Sequence, residues 1–539
     1  MPCTTTTWNS VADRVEMSYR PAMAPVEMQL PAKNPFLADS ESAMGHNDSA
    51  QQDSVGIAGP IGPTSEVSAG VAYSPVGPGP FGVAISSPYP DGRRVLWANP
   101  RGRIAKFDYD TLELLATLEL EIGPEHDVDA HEEAITSLDT LTGMDAVMHA
   151  ASVSATYLTG VTGVYYVLDC DGNYFVGYED HLVAFGDSIP GDPDSPIMVR
   201  RRFERPPEVT GSFVGMNLSY DGRLIVSTEN GWVLSVDRYF TIYEAIQLRF
   251  SEGAEEFTNA RFAELGRGGS SWMRKSLCVD EDGGIYLPSN DHMHKVVWTG
   301  SRLSTDESDG AWTEPYLNEN GRGCGTTPTL MGFGDEDRFV VFGDGANVVN
   351  INLMWRDNIP EDWEQLRGAP SRRIAGMGRA DMGNPDLEEI QTEQSITVCG
   401  YGAMTVNNEP ASVPEGFPPA AKRLFVFWLG HHDDYRPLGL HKFQWNAETR
   451  ALEQAWVNTQ VSSPNAVPSV SQPSNMVYTF GSRAGQWTLE GLDWSTGESK
   501  FHYVLGSSRY NALGGTPTLD AHGHVIWSGP FGLCRLNPL

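Results

Sequence analysis

Gly215–Asp237 reads GMNLSYDGRLIVSTENGWVLSVD. An apolar run, MNLSY, is followed by an Asp-Gly turn and a second apolar run, RLIVST. A polar bend, ENG, then leads to a third run, WVLSVD, which ends in Asp. Short β-branched and aromatic runs bounded by Asp, Asn and Gly predict successive antiparallel strands.

The same pattern recurs on both sides of this stretch. Ser276–Trp298 reads SLCVDEDGGIYLPSNDHMHKVVW and Val164–Phe185 reads VYYVLDCDGNYFVGYEDHLVAF. Phe81–Asp108 and Thr326–Leu353 repeat it, a longer copy runs from Ser395 to Trp456, and Val467–Trp494 and Thr516–Leu536 follow, which makes eight units. The turn glycines Gly92, Gly172, Gly222 and Gly283 are 50 to 80 residues apart. That spacing matches a four-stranded blade with insertions, and blades with two apolar faces must stack on one another. The expected fold is all-β, a closed β-propeller of four-stranded blades over 76–539. Eight blades are expected, or seven if one weak unit is a loop. Residues 1–75, rich in Ala, Pro, Ser, Met and Gly, are expected to form an extended or poorly ordered arm. The eighth unit stops after three strands, so the segment Val55–Tyr73 is the expected donor of a closing strand.

GGTPTLDAHGHVIWSG at Gly514–Gly529, TTPTLMGFG at Thr326–Gly334 and the YDGRLIV and EDGGIYL turns resemble the blade repeat of quinoprotein-type (PQQ-like) β-propellers. The resemblance covers Phe81–Leu539. It implies the scaffold, which carries dehydrogenases, lyases, hydrolases and assembly proteins alike. The alcohol dehydrogenases of that family place a vicinal Cys-Cys disulfide beside PQQ. The cysteines here, Cys3, Cys170, Cys278, Cys324, Cys399 and Cys534, are far apart in sequence. The expectation is therefore an enzyme without PQQ.

The chain has 539 residues and a formal net charge of −33, from 37 basic and 70 acidic residues. Such a balance disfavours nucleic acid, which demands a basic footprint, and anionic membrane. No apolar run reaches the length that spans a bilayer. The opening MPCTTTTWNSVADRVEM lacks a basic start and apolar core, so no secretory signal is expected and the expected location is the cytoplasm. There is no C-x-x-C pair and no G-x-S-x-G elbow. The Gly266–Gly269 and Gly321–Gly325 stretches lack the strand, helix and Lys of a phosphate loop. The sequence leaves the oligomeric state open.

In a propeller the loops joining second to third strands and those joining consecutive blades share one rim. Eight of the thirteen histidines fall on or near it: His126, His131, His149, His181, His292, His294, His431 and His432. GHHDDYRPLG at Gly430–Gly439 combines imidazole with carboxylate, which suits either a divalent ion or an acid–base pair. A solvated polar loop is the plainer alternative. EHDVDAHEE at Glu125–Glu133 precedes a helical stretch that Asp127 or Asp129 would cap. In PSNDHMHKVVW, His292 and His294 share one side of a strand.

The expected function is non-redox acid–base or metal-assisted chemistry on a small organic molecule in the central channel, of lyase, hydratase, isomerase or hydrolase type. His181, His292, His431 and Arg379 are the expected catalytic set. Arg101, Arg322, Arg483, Arg509 and Tyr510 would bind an anionic substrate. His126, His432, Asp180, Asp291 and Asp433 would hold a divalent metal ion. The alternatives are a PQQ-dependent dehydrogenase and a non-catalytic propeller platform whose channel is plugged.

Overall fold

The computed structural model describes residues 30–120, 126–159, 164–248, 270, 272–417 and 422–537. Cys3, the opening segment, Gly266–Gly269 and Glu125 lie outside them. The fold is an all-β propeller of eight sheets, each built around a core of four antiparallel strands. Sheet 1 starts at Ala84, sheet 2 at Tyr166, sheet 3 at Phe213 and sheet 4 at Cys278. Sheets 5, 6, 7 and 8 start at Thr329, Thr397, Ser469 and Thr518. In sheet 3 the strands Phe213–Leu218, Arg223–Thr228, Trp232–Asp237 and Tyr243–Gln247 follow in order, with Leu224 opposite both Leu218 and Val236.

The turn chemistry of the repeat has a local cause. At the first turn an acceptor side chain binds the amides that follow it. Asp169 Oδ1 takes the amides of Asp171 and Asn173, and Asp280 Oδ1 those of Asp282 and Gly284. The glycine in each turn sits at positive φ, 70° at Gly172 and 86° at Gly283. The Asp that ends the third strand closes the next turn in the same way, as when Asp237 Oδ1 accepts from Thr241 and Ile242.

Apolar clusters join each sheet to the next. Trp97, Tyr174 and Leu224 link sheets 1, 2 and 3, and Ile225 and Ile285 link 3 to 4. Tyr286 meets Val340, Phe339 meets Phe443, Met404 meets Val477 and Tyr478 meets Trp527 in the clusters that follow. A further cluster joins Ile526 and Leu533 of sheet 8 to Ile85 and Leu96 of sheet 1. Cations on third strands staple the same neighbours. Lys106 Nζ donates to Ser195 O at 2.8 Å and Lys442 Nζ to Trp494 O at 2.9 Å. Arg535 Nη1 reaches from sheet 8 to Tyr109 O of sheet 1 at 2.9 Å.

Sheet 8 receives its fourth strand from the N-terminal part of the chain: Val71–Pro75 runs antiparallel to Gly532–Leu536, with Tyr73 opposite Cys534. Residues 42–53 do more. Their carbonyl oxygens accept from the innermost strands in turn: Ser42 from Ile85, Ala43 from Leu168, Ser49 from Val279, Ala50 from Leu330, Gln52 from Val398 and Asp53 from Val470. Asn217 Nδ2 of sheet 3 adds a bond to Ser49 O at 3.1 Å. This stretch spans one end of the central space and touches seven of the eight sheets. It curls by placing His46, Asn47, Gln51 and Asp53 at φ between 54° and 74°.

Two insertions meet at the other end. The helices Val128–Thr140 and Gly143–Val153 pack with the helix Lys422–Phe427 and with Trp428 and Tyr435. Asp127 caps the first of them by accepting from Ala130 N. No described helix is long and apolar enough to cross a membrane.

Leu533 is fully buried in the cluster between the last sheet and the first. Leu533→Ala is expected to lower stability by about 2–5 kcal/mol. Ile242→Ala, at a site 64% exposed, should stay within about 0.5 kcal/mol. Denaturant midpoints of the two variants check this.

Candidate functional site

The central space holds a cavity of about 730 Å³ at the N-terminal ends of the inner strands. Its wall comes from segments that enter successive sheets, including Phe81–Val83, Val164–Tyr166, Ser212–Met216, Trp272–Lys275, Glu393–Ser395 and Leu513–Thr516. Its floor is the curled stretch Met44–Asn47. Phe81, Phe427 and Leu513 belong both to this wall and to the helical cluster above it.

The curl aims His46 into the floor. His46 Nδ1 lies 2.8 Å from Asp53 Oδ2, and Nε2 lies 3.3 Å from Ser395 Oγ. Asp53 is fully buried, and among the described residues its Oδ1 has no partner and its Oδ2 pairs with His46. Burial pushes its carboxyl up, and the imidazole beside it pulls it back. With Nδ1 as the donor to Asp53, the Nε2 lone pair faces the Ser395 hydroxyl. Ser395 Oγ also accepts the Thr327 amide at 3.2 Å, a donor that favours negative charge on that oxygen. This arrangement can take a proton from Ser395 and hold the resulting imidazolium.

A cationic group stands two residues along the chain from Ser395. Glu393 Oε2 accepts from Arg274 Nη1 at 2.6 Å, and its Oε1 meets Arg423 Nη2 at 2.9 Å. Lys275 Nζ donates to Glu393 O at 3.1 Å. Burial pushes the Glu393 carboxyl up, but Arg274, Arg423 and Lys275 together hold it well below the usual range. Burial brings the Lys275 ammonium down to about 8, against the pull of Glu393.

None of the sequence-predicted site residues lines this cavity. His181 pairs with the exposed Asp180 at 2.6 Å and stacks on Tyr178. His292 pairs with Asp291 at 2.7 Å, and Asp291 also accepts from Ser270. His431 is buried against Trp487 and His432, beneath the insertion helices. Arg379 donates to Leu387 O and Arg101 to Thr156 O. Arg483 forms a two-pronged pair with Glu490, and Arg509 pairs with Glu132 over the Tyr73 ring. Tyr510 packs between sheets 7 and 8. Arg322 accepts from Arg274 Nε through its carbonyl and lines a small recess beside the cavity with Glu409 and Lys422. Asp433 pairs with Arg436, and His126 lies beside His131. The five residues expected to hold a metal form no common cluster among the described residues. Among the described residues, no three His, Cys, Asp or Glu converge on one point.

Several of these histidines are instead core groups. His294, fully buried, bonds Ser289 Oγ at 2.9 Å and Thr313 Oγ1 at 3.0 Å. Burial, with a push from His292, brings its imidazole down to about 3, and burial does the same to His431. In the unfolded chain a histidine protonates near 6.5. Their contribution to stability is therefore complete above about pH 6.5 and falls as pH drops towards 3. Between pH 7 and pH 5 the loss from His294 should be about 2 kcal/mol. His294→Gln keeps a polar side chain that does not titrate. Urea midpoints at the two pH values should fall less for the variant than for the parent, and equal falls would mean that His294 takes up its proton in the native state.

No family model matches the chain. An uncharacterized protein of Archaeoglobus fulgidus is 31% identical over 468 residues, which cover 85% of this chain and 80% of the relative. The quinohemoprotein alcohol dehydrogenase ADHIIG of Pseudomonas putida HK5 superposes with a TM-score of 0.50 at 11% identity, over 92% of this chain and 79% of the other. The quinohemoprotein alcohol dehydrogenase of Comamonas testosteroni gives 0.49 at 10% identity, over 93% and 78%. The Pseudomonas putida structure shares the fold. The chain belongs to the family of the Archaeoglobus fulgidus protein and is built on the quinoprotein-type β-propeller.

Proposed function

We propose that the chain is an eight-bladed, closed propeller enzyme that hydrolyses a small carbonyl compound, an ester or lactone, in the central cavity. The reading rests on one observation: Asp53, His46 and Ser395 stand in hydrogen-bonded series at the cavity floor. In this reading Ser395 Oγ attacks the carbonyl carbon while His46 Nε2 takes its proton. The C–O bond to the leaving alcohol breaks, and His46 returns the proton to that oxygen. Water then attacks the acyl-serine with His46 again as base, releasing the acid and restoring Ser395. Asp53 orients the ring and stabilises its charged form without itself taking the proton. The stretch that plugs one end of the channel thereby carries two of the three groups, and the cavity at the other end admits the substrate.

The expected result is hydrolysis of p-nitrophenyl esters by the purified chain and fluorophosphonate labelling at Ser395. Ser395→Ala and His46→Gln should each lower kcat/KM at least 100-fold, about 2.7 kcal/mol, with an unchanged circular dichroism spectrum. Full activity in Ser395→Ala, or labelling elsewhere only, would sink the reading.

A second reading, oxidation with a bound quinone, is favoured by the charge and aromatic character of the same wall. Arg274, Lys275 and Arg423 suit the carboxylates of PQQ, and Trp272, Phe213 and Tyr165 offer flat faces. The accompanying divalent ion fits less well, since no described cluster of three His, Cys, Asp or Glu is present. No step is derived through it. Alcohol-dependent dye reduction after incubation with PQQ and calcium, surviving in Ser395→Ala, would assign the cavity to oxidation.

A further inference from the structure

Arg274, Lys275 and Arg423 gather around one carboxylate, so the group carries an excess of two positive charges at the cavity wall. Arg274 spends Nη1 on Glu393 and Nε on Arg322 O, and its buried Nη2 has no partner among the described residues. Arg274 and Lys275 expose only 14% and 15% of their side chains. The like charges of Arg274 and Lys275, both largely out of water, repel one another, and an anion beside them relieves that repulsion, while Arg423 stands at the exposed edge of the set. Two other acids line the cavity, and neither forms an ion pair with these cations among the described residues: Glu229 Oε1 accepts from Ser212 Oγ at 3.1 Å, and Glu179 stands at the exposed rim. The chain carries −33 overall, so a buried cationic wall is against its general trend.

We propose that this wall anchors a carboxylate of the substrate, which is an organic acid bearing the scissile group. The assignment rests on the acyl-transfer reading for what happens next to the anchor, and concerns binding alone. Arg274, Lys275 and Arg423 meet the carboxylate as a cluster of positive charge, with Arg423 the most accessible of the three. The apolar body of the acid then faces Phe213 and Trp272, and its reactive carbonyl lies towards Ser395.

The test is calorimetric titration of the full chain with benzoate and succinate, and with benzamide and succinamide as uncharged counterparts, at low salt. The acids are expected to bind and the amides not. Arg274→Gln should weaken the acids at least tenfold. Arg423→Gln, at a side chain 57% exposed and so tolerant of change, should weaken them in the same direction and guards against misfolding of the first variant. Amides that bind as tightly as acids, acids that do not bind at all, or wild-type affinity in both arginine variants would overturn the anchor. Ser395→Ala separates the two readings. If the acids bind but ester turnover survives in that variant, the anchor stands and acyl transfer falls. If turnover needs Ser395 while acids and amides bind alike, the anchor alone falls.

Discussion

The structure depends on a run of backbone hydrogen bonds. The innermost strand of a propeller blade has a neighbour on one side only, so its other edge presents unpaired amides and carbonyls to the axis. Here residues 42–53 turn their carbonyls outward one after another and satisfy such amides on sheets 1, 2, 4, 5, 6 and 7. A single extended strand could not do so, because successive carbonyls would point to opposite sides. The curl needs positive φ at His46, Asn47, Gln51 and Asp53, each unfavourable by roughly 1–2 kcal/mol for a residue with a Cβ. Side chains help to hold it: Asp48 Oδ1 accepts the Ala50 and Gln51 amides, and Gln51 Nε2 donates to Gly45 O at 3.0 Å.

The same curl explains the chemistry at the floor. Between the outward-facing carbonyls the chain turns back on itself, with Asp48 N donating to His46 O and Asn47 N to Met44 O, and this places His46 at the cavity floor with Asp53 buried behind it. They are seven positions apart in sequence, and the pair exists only because the chain doubles back between. Ser395 comes from the segment entering sheet 6, whose inner strand is itself bound to Gln52. The bonds that fix the arm therefore also fix the distance from His46 to Ser395.

The repeat was legible in the residues because its signals are local. Asp-Gly turns, Asp at the end of third strands and alternating apolar runs each act within five residues, and the two Asp signals each have a matching hydrogen bond in the structure. The expected strand donor near Val55–Tyr73 overlaps the strand Val71–Pro75 that pairs with Gly532–Leu536. Glu179 and Glu229, on loops between second and third strands, line the cavity. His181, His292 and His431 drew attention because they stand beside carboxylates or other histidines in sequence. Such neighbours pair with each other at the rim or in the core, and that keeps them out of the cavity. No spacing rule links positions 46, 53 and 395, and a stretch rich in Ala, Ser and Gly gives no sign that it will be wound through the centre of the molecule.

Charge completes the logic of the site. An acidic surface keeps a large protein soluble by self-repulsion, and it also repels acids. An organic acid could be held only where that field is locally reversed and water is thin, because Coulomb attraction strengthens as the surroundings become less polar. Arg274, Lys275 and Arg423 supply the reversal, and the cluster of Phe425, Trp428 and Leu429 above the wall excludes water from one side of it. Glu393 keeps the three cations from driving one another apart while leaving them short of neutral. In the proposed reading, a wall with two positive charges in excess, set two residues from a hydroxyl that faces an imidazole, joins recognition and reaction in a single segment of chain, Glu393–Ser395.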